Sequence, residues 1–222
     1  MIEIKNLTKN YGDRAVLNIG SLTVKKGDTV VIVGPNGSGK STLLKILAGI
    51  LPKSGGDFTV NGSLYYMPQQ SVPFRKTVKK NLIFSAKAEN KEKKAENMLS
   101  LLSLTDFADK NAAGLSGGEC QRLALGRVLI NEGDFLLLDE PSSAADIEGT
   151  EIIEKAVAEY KRKTGCGILM TTHSPGQARR MADRIVILYN GEIAEEGAPE
   201  GLLSSPKSVW GKKFIDMWKF DN

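Results

Sequence analysis

The chain has 222 residues, 41% of them hydrophobic, enough for one sizeable core or a core with a small appended subdomain. Its formal net charge of +4, from 30 Lys plus Arg against 26 Asp plus Glu, is not the concentrated basic field of a nucleic-acid binder, and no nucleic-acid partner is expected. Cys120 and Cys166 stand apart without CxxC or Cys/His spacing, which argues against a zinc site or a disulfide framework and suits a reducing cytosol.

The opening MIEIKNLTKNYG alternates like a strand and lacks the apolar core of a signal peptide. No apolar run approaches the roughly 20 residues that span a bilayer, so the chain by itself is expected not to cross a membrane. Residues 2–11 and 22–24 read as strands, with turns at Gly12-Asp13 and Lys26-Gly27-Asp28. TVVIV, 29–33, is a short continuous apolar run, the pattern of a strand buried on both faces. A glycine-rich loop follows, then a helix over 40–50 with apolar spacing at Leu43, Leu44, Leu47 and Ile50. DFTVNG and SLYYMP read as two further strands. From 71 to 113 the texture turns polar and helical, with an apolar stripe at Met98, Leu99 and Leu102. The α/β pattern then resumes with a helix over 116–130, a buried strand at 135–138, a helix over 146–163 and a strand at 167–172. A helix over 177–183 and a hairpin around Asn190-Gly191 complete it. Strands alternating with helices predict a mostly parallel sheet covered on both faces.

Three motifs carry the chemistry. GPNGSGKS satisfies G-x-x-x-x-G-K-[ST] between a buried strand and an apolar helix, and comprises Gly34, Pro35, Asn36, Gly37, Ser38, Gly39, Lys40 and Ser41, with Thr42 next. Such a loop turns backbone N–H groups inward around phosphate oxygens, and the helix N-terminus adds partial positive charge. Lys40 is predicted to reach the β- and γ-phosphates of a nucleoside triphosphate, and the Ser41 hydroxyl to ligate Mg²⁺. FLLLDE delivers Asp139 to the C-terminal edge of its strand to hold the Mg²⁺ hydration shell, with Glu140 next to it to take a proton from attacking water. LSGGE places Ser116, Gly117, Gly118 and Glu119 at the start of a second helix, a second array of unpaired N–H donors. Two copies arranged head to tail would let each Ser-Gly-Gly helix face the ATP held in the other copy's loop.

LSGGE, GPNGSGKST, FLLLDE and a later TTH together resemble the nucleotide-binding subunit of an ATP-binding-cassette (ABC) transporter, over nearly the whole chain. The resemblance implies an α/β P-loop NTPase core of mostly parallel sheet, with an N-terminal antiparallel β subdomain and a small inserted α-helical subdomain. In one such domain, 1–70 and 114–203 form the core with its β subdomain, 71–113 the helical insertion, and 204–222 a C-terminal helical tail. The resemblance also implies that Tyr11 stacks on adenine and that Gln69, which directly follows Pro68 and is preferred to Gln70 for that reason, touches Mg²⁺. SAAD, 143–146, matches the loop that runs between two subunits. His173, the sole histidine, matches the switch residue that contacts the γ-phosphate, and it joins Glu140 and Lys40 as a catalytic candidate.

The implied protein is an ATPase homodimer at the cytoplasmic face of the membrane, docked on an integral-membrane permease and served by an extracytoplasmic solute-binding protein in importers. Val72, Phe74, Arg75, Lys76 and Val78 are the expected docking residues. The short chain suggests import of a small polar solute or an oxyanion such as phosphate or tungstate. Departures from the family pattern are small: Cys120 inside the signature helix, Ala145 in place of a common leucine, and a short segment between Ile50 and Gln69. The rival function is that of a soluble ABC-class ATPase in nucleic-acid or ribosome-linked work, which normally carries two cassettes or a long coiled-coil insertion. In the tail, Trp210, Phe214, Met217 and Trp218 share a helical face, with Lys212, Lys213 and Lys219 elsewhere. That face could meet a membrane surface, but packing on the domain is the expectation.

Overall fold

The computed structural model describes residues 1–87 and 89–216. Along them run the strands β1 (Ile2–Tyr11), β2 (Arg14–Val24), β3 (Thr29–Val33), β4 (Gly55–Val60), β5 (Leu64–Met67), β6 (Phe135–Asp139), β7 (Gly167–Thr171), β8 (Arg184–Tyr189) and β9 (Glu192–Gly197). The helices are α1 (Lys40–Leu47), α2 (Val78–Ser85), α3 (Lys91–Leu101), α4 (Gly117–Leu129), α5 (Ile147–Thr164), α6 (Pro175–Met181), α7 (Pro199–Ser204) and α8 (Val209–Asp216). Met1–Tyr66, Asp134–Glu140 and Cys166–Asn222 form one unit; Met67–Gly133 and Pro141–Gly165 form a second.

The first unit holds two sheets. Antiparallel β2-β1-β4 is separate from a six-stranded sheet ordered β5-β6-β7-β3-β8-β9, in which β6, β7, β3 and β8 run parallel and β9 returns antiparallel to β8. DFTVNG and SLYYMP therefore do not pair with each other: β4 joins β1, and β5 borders β6. β2 is much longer than the expected 22–24, because its apolar alternation slips phase from Leu17 and Ile19 to Leu22 and Val24. β1 slips in the same place, from Ile2 and Ile4 to Leu7, through Asn6 at φ +48°. The two slips meet between the pairs Lys5↔Ser21 and Leu7↔Ile19, so both strands keep their apolar side chains on one face. One core cluster joins those side chains to Leu43, Leu44 and Leu47 of α1 and to Val30, Ile32, Phe135, Leu137 and Leu169 of the parallel strands. β3, β6 and β7 are buried at every position, as their unbroken apolar runs predict.

In the C-terminal part of this unit, the Trp210 ring stacks on Tyr189 with centroids 3.4 Å apart, and Phe214 is buried. That half of the tail stripe packs on the domain as expected; Met217, Trp218 and Lys219 lie outside the described residues.

The second unit collects α2, α3, α4 and α5, and so is wider than the 71–113 segment. A Cβ on Gly126 would lie 2.7 Å from Leu102 Cδ1 and 3.0 Å from Leu82 Cδ2, so glycine there is what lets α4 approach its neighbours this closely. The starts of α2 and α5 are capped: Thr77 Oγ1 accepts the Lys80 N–H, and Asp146 Oδ1 accepts the Gly149 N–H. Val78, expected among the docking residues, is fully buried as the first residue of α2 and cannot serve. Phe84, not anticipated, is 66% exposed. Among the described residues no helix is long and apolar enough to cross a membrane.

Candidate functional site

β3 carries the chain to the sheet edge, and the loop 34–39 turns it into α1. Two glycines are required there for space. A Cβ on Gly34 would lie 2.1 Å from the carbonyl oxygen of Leu188, and one on Gly39 would lie 2.6 Å from Leu17 Cδ2. Lys40 is 5% exposed, and its Nζ curls back to donate to the carbonyls of Gly34 (2.8 Å) and Pro35 (3.0 Å). Burial pulls the lysine pKa below its ordinary value, opposed by the negative charges of Glu140 and Asp139. An ammonium has three donors, and the carbonyls use two. Ser38 is buried and its hydroxyl has no hydrogen-bond partner. An orphaned hydroxyl within a glycine-rich loop that leads into a helix N-terminus fits an incoming phosphate.

The other half of the site comes from β6 and β7. Asp139 ends β6, paired with Thr171 of β7, which in turn pairs with Ile32 of β3. Parallel pairing thus brings the three strand ends to one edge. Asp139 Oδ1 accepts hydrogen bonds from Ser41 Oγ (3.0 Å) and Thr171 Oγ1 (2.8 Å), and Oδ2 accepts one from Tyr66 OH (3.4 Å). Burial, and then the neighbouring Asp139 charge, push the Tyr66 phenol pKa well up, so it stays a neutral donor. Glu140 is buried at φ +49°, its N–H donating to Thr171 Oγ1 at 3.0 Å. Its Oε1 lies 2.5 Å from Nε2 of His173. His173 is held by the turn behind it, where Thr172 Oγ1 donates to Gln177 Oε1 (2.7 Å) and accepts the Ser174 N–H (3.1 Å). A hydroxyl and a carboxylate 3.0 Å apart form an oxygen-donor pair that fits Mg²⁺, an ion that keeps several waters and is bound chiefly with substrate phosphates.

In the second unit, Ser116 caps α4 in a capping box. Its Oγ accepts the Glu119 N–H at 3.4 Å, and Glu119 Oε2 accepts the Ser116 N–H at 2.7 Å. The Ser116 hydroxyl therefore acts as an acceptor within the helix and keeps its proton for donation. A Cβ on Gly117 would lie a tight 3.3 Å from Ala144 Cβ, whereas one on Gly118 would make ordinary contact, 3.4 Å from the Ala144 carbonyl oxygen, so the SAAD loop packs against both glycines and closely on Gly117.

A family model described as "ABC transporter" matches residues 17–143, more than half of the chain. The chain belongs to the ABC transporter family. It is 38% identical over 207 residues to the tungstate uptake system ATP-binding protein of Peptoclostridium acidaminophilum, covering 87% of this chain and 97% of that protein. It is 34% identical over 245 residues to a phosphate import ATP-binding protein of Natronomonas pharaonis, covering 97% and 86%. Among solved structures it resembles a dimeric ATP-binding cassette in a post-hydrolysis state with ADP and phosphate, at TM-score 0.80 and 27% identity over 90% of this chain and 99% of that one. An ATP-binding subunit of an ABC transporter superposes at TM-score 0.85 and 24% identity, covering 99% and 100%, which establishes the fold. The activity of this ABC cassette is ATP hydrolysis coupled to transport.

Within the cassette, Gly34, Pro35, Asn36, Gly37, Ser38, Gly39, Lys40, Ser41, Asp139, Glu140 and His173 all lie in the first unit. Tyr11 is also there, 53% exposed at the end of β1, with Lys9 Nζ 4.8 Å from its ring centroid. Gln69, exposed, and the signature residues Ser116, Gly117, Gly118 and Glu119 lie in the second. Sequence reasoning missed three residues. Thr171 and Tyr66 owe their role to strand register, which no local motif announces. Gln121 is buried in α4, where its Oε1 accepts the Ala144 N–H (2.8 Å) and its Nε2 donates to Ser143 Oγ (2.9 Å), clamping the SAAD loop. Cys120 is half-buried, and burial followed by the Glu119 charge raises its thiol pKa, consistent with a packing role.

Proposed function

We propose that the chain powers import of a small polar solute or oxyanion through an integral-membrane permease, working as a homodimer at the cytoplasmic membrane face. The observation that carries the chemistry is the half-buried cluster in which Ser41 meets Asp139 at 3.0 Å and Glu140 meets His173 at 2.5 Å, beside the Lys40 loop. The loop N–H groups, the Ser38 hydroxyl and the free donor of Lys40 bind the phosphates, and Tyr11 offers its exposed ring to adenine. Ser41 and Asp139 would hold Mg²⁺, which when bound would neutralise phosphate charge. Glu140 accepts the proton of the attacking water, and the His173 ring hydrogen-bonds the γ-phosphate. Ser116, Gly117, Gly118 and Glu119 of a second copy complete the pocket, with ATP as the adhesive between copies.

Import and the solute class are supported by relatives named for tungstate uptake, phosphate import and spermidine/putrescine import. The docking surface is Val72, 84% exposed, with exposed Arg75 and Lys76 and the Phe74–Phe84 pair. Those two rings meet edge to face at 5.0 Å, and Arg127 lies 4.3 Å over Phe74. An exposed aromatic pair backed by a cation suits an apolar element of a permease.

Two experiments test this. Gentle detergent extraction from the protein's own cells should co-purify a multi-span membrane protein; soluble partners alone would overturn the transport role. Glu140→Gln should lower ATP turnover by about 10²–10⁴-fold while retaining ATP binding, as expected for loss of a general base. An unchanged rate would remove Glu140 from the chemistry.

A further inference from the structure

Thr171 sits between the two carboxylates of the site without a part in the chemistry assigned above. It is fully buried at the end of β7, between Asp139 of β6 and Ile32 of β3. Its one hydroxyl is used twice: the O–H donates to Asp139 Oδ1 at 2.8 Å, and a lone pair takes the Glu140 N–H at 3.0 Å. The second bond falls on a residue at φ +49°, a backbone region that side-chain-bearing residues seldom adopt and keep only where their surroundings fix it. Thr172, next along the chain, spends its hydroxyl on Gln177 and Ser174 instead, so the two threonines of TTH serve different parts of the site.

We propose that Thr171 is a positioning residue for ATP hydrolysis, its hydroxyl orienting the magnesium-side carboxylate of Asp139 and holding Glu140 in the left-handed turn that brings its carboxylate to His173. The proposal rests on the roles assigned above to Asp139 and Glu140. Valine fills nearly the same volume and suits a strand, so Thr171→Val removes both hydrogen bonds while sparing the sheet. Ser41 and Tyr66 still donate to Asp139 in that variant, so Mg²⁺ affinity should weaken without vanishing.

The test compares the wild-type chain with Thr171→Val and Thr171→Ser. A fluorescent ATP analogue is titrated in EDTA and across a Mg²⁺ series, and kcat and KM for ATP are measured in parallel. Thr171→Val should bind nucleotide in EDTA within about twofold of wild type, need several-fold more Mg²⁺ for half-maximal binding, and lose roughly 10–100-fold in kcat with KM little changed. Thr171→Ser, which keeps the hydroxyl, should return both values to within about threefold of wild type. Wild-type Mg²⁺ dependence and kcat in the valine variant overturn the proposal, as does a serine variant as impaired as the valine one. If Thr171→Val loses nucleotide binding in EDTA, Thr171→Ser against Thr171→Ala decides: a magnesium response kept only with the hydroxyl supports the proposal, and equal impairment overturns it. Full activity in Glu140→Gln overturns the roles on which the proposal rests, and the proposal with them.

Discussion

Gly34 and Gly37 belong to the same phosphate loop, yet the structure predicts that alanine at the two positions will behave differently. At Gly34 a Cβ would stand 2.1 Å from the Leu188 carbonyl oxygen, about 0.9 Å inside the 3.0 Å below which real Cβ contacts essentially never occur. The obstacle is backbone of a buried central strand, which cannot rotate away. Relief requires moving the loop or β8, an overpacking cost of about 1–3 kcal/mol, with a further 1–3 kcal/mol for a side chain at φ +152°. At Gly37 nothing lies within 4 Å, and only the backbone cost at φ +78° remains, about 1–2 kcal/mol. Gly34→Ala should therefore be the less stable by about 2–3 kcal/mol, which for a chain of this size is roughly 4–12 °C in Tm. The assay is thermal unfolding without nucleotide, followed by titration with an ATP analogue. Displacing the loop by most of an ångström should also weaken binding far more in Gly34→Ala. Equal melting temperatures, or a Gly37→Ala variant that melts lower, would refute the reasoning.

Tyr160→Phe should cost about 2–4 kcal/mol in stability, because the hydroxyl accepts the buried Gly133 N–H at 2.8 Å and donates to the Asn131 carbonyl at 2.7 Å, and both would be left unpaired. Chemical denaturation of the two proteins checks it, and a loss below about 0.5 kcal/mol would contradict it. The Lys26 ion pair, followed by hydrogen bonds from Ser63, holds the Asp134 carboxyl down to about 2 from its usual 3.8. Its folded pKa is depressed, so its stabilising effect is complete above the unfolded value near 3.8 and fades as pH falls through about 2. Asp134→Asn should thus melt below wild type near neutral pH, with the gap closing in acid; a gap that persists unchanged at low pH would show that the charge is not its cause.

The parts of this site that depend on neighbours in sequence were legible, and those that depend on neighbours in space were not. The phosphate loop announces itself through glycines between an apolar run and an apolar helix, and FLLLDE through five buried residues ending in an acid. A serine and two glycines before a helical stretch revealed α4, and its capping box came with Glu119. β2 was cut short because its phase slip looks like an ending unless the matching slip in β1 is laid beside it. Thr171 and Tyr66 could not be picked out without knowing that β7 pairs with β6 and that β5 borders it. Val78 carries the same apolar signal whether it docks a partner or fills a core, and only the position of α2 decides between them.

The strand order β6-β7-β3-β8 has a further consequence, for how the chain acquires its activity. Neighbouring strands at the site lie far apart in sequence, and Lys40, Asp139 and His173 follow or end three of them. Contacts of this kind are slow to form, because each closes a large loop before it is rewarded. No partly folded form that lacks β7 can bring Asp139 or Glu140 to Thr171. Magnesium-dependent ATP affinity is therefore a property of the finished sheet, and ATP with Mg²⁺ at a hundred times its Kd would favour that state by about 2.7 kcal/mol over every intermediate on the way. In a cell where ATP is plentiful, the substrate also acts as the ligand that commits each newly made chain to its native form.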